Sequence, residues 1–169
     1  TTINLARDIT LAPTPQPLRT SNTAETLVNG IEVTSGSLTL NGVLSGSGGF
    51  NKSGAGTLVM GTSHNFTGDV QIPAGTLQFT TNAHLGSGNR VRLNGGTLNY
   101  NIGATLSLTH PLILTANSTL STSAFGGQLT LSAPLVGAST VTLTRTGTDA
   151  VSIANANPGK TMQHRRAYL

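Results

Sequence analysis

A short motif recurs along this chain of 169 residues at nearly constant spacing. The tripeptide Gly-Thr-Leu stands at residues 56–58, 75–77 and 96–98, and looser copies stand at 36–38, 118–120 and 139–141. The apolar third residues lie at 38, 58, 77, 98, 120 and 141, which gives steps of 20, 19, 21, 22 and 21. A fixed period of this length is a signature of stacked structural repeats, so it constrains the fold strongly.

Short β-strands are the secondary structure that the sequence favours between these copies. Apolar and polar residues alternate in runs such as Thr57–Met60 and Thr76–Phe79, and turns rich in Gly, Asn and Ser separate the runs. Strands of this spacing also suit an antiparallel sandwich, but the repeat favours stacked coils. We therefore predict an all-β fold, a right-handed parallel β-helix (β-solenoid) with coils of about 20 residues. Leu, Val and Ile would form inward columns, and Thr, Ser and Asn would form outward ladders.

Three regions are predicted along the chain. Residues 1–26 contain an alternating segment from Ile3 to Leu11, followed by Pro13, Pro15 and Pro17, and predict a leading strand and a proline-rich linker. The leading strand would cap the first coil or pair with a neighbouring molecule. Residues 27–154 are predicted to form the β-solenoid repeat region, and residues 155–169 a basic, irregular C-terminal tail.

The composition argues against several classes of function. Only 8% of the residues are charged, against about 25% in typical globular proteins. The net charge of +4 is concentrated in the tail at Lys160, Arg165 and Arg166, and the closest internal basic pair is Arg90 and Arg92. This pattern does not predict nucleic-acid binding. The absence of cysteine excludes disulfides and thiolate metal sites, and no apolar run reaches the roughly 18 residues of a membrane-spanning helix.

One stretch of the chain resembles a known repeat. Residues 49–60 read GFNKSGAGTLVM, residues 65–70 read NFTGDV and residues 73–77 read PAGTL. This order resembles the passenger-associated transport repeat, also called the autotransporter-associated β-strand repeat, with the best match over about residues 43–100. Phe66 stands where tyrosine is usual, and Asp69 stands where glycine is common.

The resemblance implies a non-enzymatic β-solenoid at the extracellular or outer-membrane surface of a bacterium. It would act as a stalk, an adhesin or an autotransporter passenger segment. Its partners would be other copies of itself, neighbouring repeats, or a host or matrix glycan or protein. Two alternatives stay open: an extracellular filament or matrix protein that assembles by strand addition, and a carbohydrate-binding or carbohydrate-cleaving β-helix.

The acidic residues do not predict a catalytic site. Glycoside hydrolysis generally uses two carboxylates within about 5–10 Å of each other. No two acidic residues have a spacing that would place both on one face of a coil, and the full set is Asp8, Glu25, Glu32, Asp69 and Asp149. Stacking of adjacent coils would bring Glu32 near Lys52, which we interpret as a surface ion pair. No catalytic residue is therefore expected.

Histidine and threonine also recur at the repeat spacing. His64, His84 and His110 are 20 and 26 residues apart, so the first two could stack on neighbouring coils. Metal sites normally take three or four ligands, so we interpret them as solvent-exposed turn histidines and expect no metal or cofactor. Thr57, Thr76 and Thr97 could form a water-ordering ladder like that of ice-binding proteins. Their outward neighbours Val59, Gln78 and Asn99 vary, which weakens that interpretation.

Overall fold

The computed structural model describes residues 2–11, 29–87, 90–122, 126–137 and 140–154, and nearly all of the regular structure there is β. A single 3₁₀ helix, Asn82–Leu85, interrupts the strands of these residues. The strands are β1 Thr2–Leu5, β2 Ile9–Thr10, β3 Asn29–Glu32, β4 Ser37–Leu40, β5 Leu44–Ser45, β6 Phe50–Ser53, β7 Thr57–Met60, β8 Val70–Ile72, β9 Thr76–Phe79, β10 Val91–Leu93, β11 Thr97–Tyr100, β12 Thr105–Leu108, β13 Leu112–Leu114, β14 Ser118–Thr122, β15 Gln128–Leu131, β16 Leu135–Gly137, β17 Leu143–Gly147 and β18 Ala150–Ile153.

The strands stack as parallel sheets that run along a solenoid. Sheet I has the order β1-β4-β7-β9-β11-β14-β17, and sheet II has the order β3-β6-β8-β10-β13-β16. A third face carries the smaller sheets β2-β5 and β12-β15-β18, with the 3₁₀ helix between them in the chain. Every pairing is parallel and joins a strand to its equivalent one coil away. The predicted parallel β-solenoid is confirmed, with about 22 residues per turn.

The apolar residues of the repeat form one inward column of sheet I. Leu38, Leu58, Leu77, Leu98 and Leu120 are aligned by register from strand to strand. The side chains at 58, 77 and 98 have no solvent exposure, whereas the preceding threonines are half-buried. The predicted inward leucine and outward threonine are therefore observed in each of these coils.

The last predicted copy of the motif is misplaced. Leu120 pairs with Arg145, a step of 25 residues, and Val141 lies before β17. The physical reason is that Leu143 fills the buried position opposite Ser118 and so sets the register of β17. The coil before it is longer than each coil between Leu38 and Leu120, so counting at a fixed period lands four residues too early.

Glycines at the turn before sheet I serve two different purposes. Gly75 has φ +64° and so needs a left-handed conformation that other residues rarely adopt. Gly56 has no positive φ, but a Cβ there would lie 2.7 Å from Val33 Cγ1 and 2.9 Å from the Gly36 carbonyl oxygen. This position of the motif thus requires glycine either for its backbone conformation or because the neighbouring coil leaves no room for a Cβ.

The N-terminal segment adds a further rung to the stack. The alternating segment forms two strands rather than one: β1 pairs with β4 and β2 pairs with β5. The chain turns between them, where the Asp8 carboxylate accepts a hydrogen bond of 2.8 Å from the Val43 amide. Ile3 is 59% exposed because β1 is the outermost described strand of sheet I. The predicted proline-rich linker and basic tail lie outside the described residues.

Aromatic side chains pack between coils inside the solenoid. Phe50 and Phe66 are fully buried, and their rings meet edge to face with centroids 5.4 Å apart. Phe79 and Tyr100 lie in register on β9 and β11, with ring centroids 5.6 Å apart. The departure from tyrosine at Phe66 therefore places a wholly apolar ring in a buried site.

Candidate functional site

The outer surface of sheet I is a regular array of uncharged polar side chains, which we call the hydroxyl face. Successive strands align these residues in two outward rows. The first row is Thr2, Ser37, Thr57, Thr76, Thr97, Thr119 and Thr144, and the second is Asn4, Thr39, Val59, Gln78, Asn99, Ser121 and Thr146. Strand spacing repeats each row about every 4.8 Å. The predicted outward ladders of Thr, Ser and Asn therefore extend over seven strands, and Val59 is the apolar residue in them. The rows are not uniformly threonine, so a water-ordering threonine array is not what they form.

A cluster of charged residues lies beside sheet II. Asp69 precedes β8, and its two carboxylate oxygens contact Arg90 Nε at 3.4 Å and Arg92 Nε at 2.9 Å. Asp69 Oδ1 also accepts the Arg90 backbone amide at 3.3 Å. The arginine side chains remain 56% and 30% exposed. One carboxylate thus orients two guanidinium groups from the next coil at the solenoid surface.

The surface ion pair expected between Glu32 and Lys52 is wrong. Lys52 points inward from β6 and has no solvent exposure, and its register partner on β3 is Ile31. Its ammonium donates to the carbonyl oxygens of Ser53 at 2.8 Å, Gly54 at 2.8 Å and Ala74 at 3.3 Å. Burial lowers the pKa of Lys52. The lysine therefore acts as an internal hydrogen-bond donor for the turns of two successive coils.

The histidines are also not the exposed turn residues that we expected. His64 and His110 are only 5% and 4% exposed, and the rings of His64 and His84 lie 6.5 Å apart on neighbouring coils. His64 Nδ1 accepts the Leu44 amide at 3.0 Å, while its Nε2 has no hydrogen-bond partner in the part of the chain that the structure describes. Burial, followed by the nearby His84, lowers the pKa of His64 to about 4.

We expect the buried His64 to make the fold acid-sensitive. The pKa of His64 in the folded state lies below the ordinary value of 6.5, because the fold accepts the neutral ring and disfavours the charged one. The contribution of His64 to the free energy of unfolding is therefore complete above about pH 6.5. That contribution, about 2–3 kcal/mol, is lost as the pH falls from 6.5 towards 4. Urea unfolding followed by circular dichroism at several pH values measures it. His64→Gln should flatten the dependence, and His164→Gln in the tail should not; an unchanged slope in His64→Gln would contradict this assignment.

The acidic residues are spread over the structure. Asp8 binds the Val43 amide, Asp69 binds the arginines, and Asp149 is 4% exposed near the C-terminal coil. Burial and the charge of Asp149 raise the pKa of Tyr100. Glu32 is exposed on β3, and Glu25 lies outside the described residues. Across the described ranges, no three His, Asp or Glu side chains come together as metal ligands.

Comparison with known proteins agrees with the fold. The chain is 35% identical over 100 residues to a protein named Adhesin BmaC autotransporter from Brucella suis biovar 1 (strain 1330). The aligned part is 59% of this chain and 3% of the length of that adhesin. No family model matches the chain, and no solved structure matches it significantly. The described residues contain no helix that is long and apolar enough to span a membrane. The solenoid and this similarity confirm the resemblance seen at residues 43–100: the chain fits an autotransporter-associated repeat segment.

Proposed function

We propose that this chain is a non-enzymatic segment of a bacterial surface adhesin or autotransporter passenger, located at the outer-membrane surface or outside the cell, and that it acts by contact. The hydroxyl face is the observation that carries the proposal, because it offers two in-register rows of polar side chains on a backbone of stacked hydrogen bonds. Its short side chains have little rotamer freedom to lose when a partner binds. The similarity to a protein named an adhesin also supports this role.

A non-enzymatic role agrees with what the acidic side chains do. Asp8 holds a turn and Asp69 orients two arginines, so each has a structural partner. The similar protein is named an adhesin rather than an enzyme. A contact role needs only the shape and polarity of the surface, which the repeat supplies at every coil.

Self-assembly is a second candidate, and it is favoured by the N-terminal edge. β1 has a strand on one side only among the described residues, and its residue Ile3 is 59% exposed. Unpaired strand edges are natural templates for strand addition from another chain. In this case copies would join end to end, and the outer faces would stay free.

Display on a non-adherent bacterium tests the contact role. Cells that carry the segment on a display carrier should bind a host-cell monolayer more than cells with the carrier alone. Thr76→Lys with Gln78→Lys places two charges on the hydroxyl face and should lower binding about fivefold, equivalent to ~1 kcal/mol. Thr105→Lys with Ser107→Lys places the same charges at the same spacing on the third face and should have less than about a twofold effect.

The outcomes separate the candidates. Binding no higher than that of the carrier, or equal loss in both double variants, would contradict contact through the hydroxyl face. Clumping of the displaying cells without binding to the monolayer would favour self-assembly. Circular dichroism of the purified variants checks that each of them retains the β-solenoid.

A further inference from the structure

The Asp69–Arg90–Arg92 cluster has hydrogen-bonding capacity that the fold does not use. Each guanidinium has five N–H donors, and only the Nε of each one contacts Asp69. The four Nη hydrogens of each arginine have no partner among the residues that the structure describes. Because one carboxylate faces two guanidinium groups, the cluster keeps a net charge of +1 at the surface.

A shared carboxylate contacts the Nε atoms of both arginines. Arg90 and Arg92 are two residues apart, and Asp69 contacts both of them from the preceding coil. Holding Nε leaves the outer edge of each planar guanidinium free for a second, bidentate partner. This geometry suits a carboxylate or another planar oxyanion better than a bulky neutral group.

The surroundings of the cluster combine amide and apolar side chains in one outer row of sheet II. Register aligns Asn51, Gln71, Arg92, Ile113 and Val136 along the solenoid axis. Ile113 is half-buried, and Val136 is 43% exposed. The guanidinium therefore lies between amides on one side and an apolar strip on the other.

We propose that this row is a binding site for an acidic polysaccharide, with one sugar carboxylate at a time held by Arg90 and Arg92. The inference rests on the contact role proposed above and names the partner chemistry of a second face. A sugar hydroxyl would bond to Gln71, and the C–H face of a sugar ring would lie on Ile113. The strand spacing of about 4.8 Å is close to the length of one sugar ring, so a linear polymer would meet one coil per sugar.

A polymer also suits the exposure of the arginines. Ion pairs between exposed groups contribute little individually and are screened by salt. Both arginines lie on one coil, so they hold one carboxylate at a time. When that carboxylate dissociates, its neighbours on the same polymer are present at a high effective concentration and rebind. An acidic peptide such as polyglutamate offers the same charge, but it places no ring on Ile113 and no hydroxyls beside Gln71.

Binding of the purified full chain to polygalacturonate, dextran and poly-L-glutamate by biolayer interferometry tests the site. At about 0.15 M salt we expect polygalacturonate to bind and the neutral dextran not to bind. Arg90→Gln with Arg92→Gln should weaken binding at least about tenfold. Arg165→Gln with Arg166→Gln removes the same charge from the tail and should change binding less than about twofold.

A conservative variant distinguishes a fork-shaped site from simple charge attraction. Arg90→Lys with Arg92→Lys keeps both charges but removes the bidentate donors, so it should lose most of the affinity. Three outcomes would overturn the assignment. The double lysine variant could bind polygalacturonate as tightly as the wild type, the tail variant could lose as much affinity as the double glutamine variant, or poly-L-glutamate could bind as tightly as polygalacturonate. If polygalacturonate binding fails while displayed cells still adhere, this inference falls and the contact role stands. Urea unfolding confirms that the glutamine and lysine variants remain folded.

Discussion

Replacement of Leu77 by aspartate is expected to unfold the centre of the solenoid. Leu77 has no solvent exposure and lies between Leu58 and Leu98 in the inward column. Truncation of a buried leucine alone costs about 2–5 kcal/mol. An unpaired buried carboxylate adds a further desolvation cost, so we expect a total loss above about 5 kcal/mol. That is comparable with the whole stability of many domains.

Urea unfolding followed by far-UV circular dichroism measures the effect of Leu77→Asp. Gln78→Asp is the matched control, because residue 78 is on the same strand but points outward. It introduces the same carboxylate at a half-buried surface position and should cost about 1 kcal/mol or less. Since each coil contacts mainly its neighbours, hydrogen exchange should show the loss of protection spreading outward from β9. If Leu77→Asp unfolds cooperatively with a free energy of unfolding within about 1 kcal/mol of the parent's, the predicted stacking is contradicted.

Much of the fold could be predicted because local alternation and repeat spacing act together. Alternation decides which residues face inward, and a period near one coil length decides which residues stack. Both kinds of evidence agree at Leu58, Leu77 and Leu98, and the structure places these three in one column. The hydroxyl face follows from the same alternation, since each outward threonine precedes an inward leucine.

The end of the repeat could not be predicted from spacing. The coil between Leu120 and Arg145 is longer than each coil between Leu38 and Leu120, and a fixed count cannot detect an insertion in a turn. The apolar position that fixes the register there is Leu143, which has no Gly-Thr-Leu motif before it. Loop length is set by the path of the chain around the corner, and similar turn residues accommodate several lengths.

The interior polar residues were missed for a related reason. A lysine or a histidine in a sequence is usually interpreted as a surface residue, because such groups are seldom buried without partners. Strand alternation from Phe50 already places Lys52 on the inward side, and this signal could have identified it. Its partners could not be foreseen, because backbone carbonyls at Gly54 and Ala74 approach it only when two coils stack.

The proposed sites share a dependence on stacking. The hydroxyl face needs several strands in register, and the arginine site needs Asp69 from one coil to position side chains of the next. Neither arrangement exists in a single isolated repeat. Variants that disturb the stacking should therefore affect both proposed binding surfaces, whereas surface variants should affect one surface at a time.

Lys52→Met is expected to destabilise the solenoid by about 2–4 kcal/mol, because it removes the donor to three carbonyl oxygens in the turns. Methionine keeps the length of the buried stem, so the loss comes mainly from the missing ammonium. Lys52→Ala should cost about 2 kcal/mol more, because the stem leaves a cavity.

Urea unfolding at neutral pH compares the lysine variants with Lys160→Met, which removes the same charge from the tail and should leave the stability within about 0.5 kcal/mol of the parent. The sign of the change for Lys52→Met separates two possibilities, because burial of the ammonium has a desolvation cost that its hydrogen bonds must exceed. If the ammonium served no purpose, the apolar methionine would be neutral or stabilising, as replacements of buried ion pairs often are. Stability of Lys52→Met equal to or above that of the parent would therefore contradict the assignment. A loss in the expected range would show that the lysine of the repeat motif stabilises the junction between successive coils.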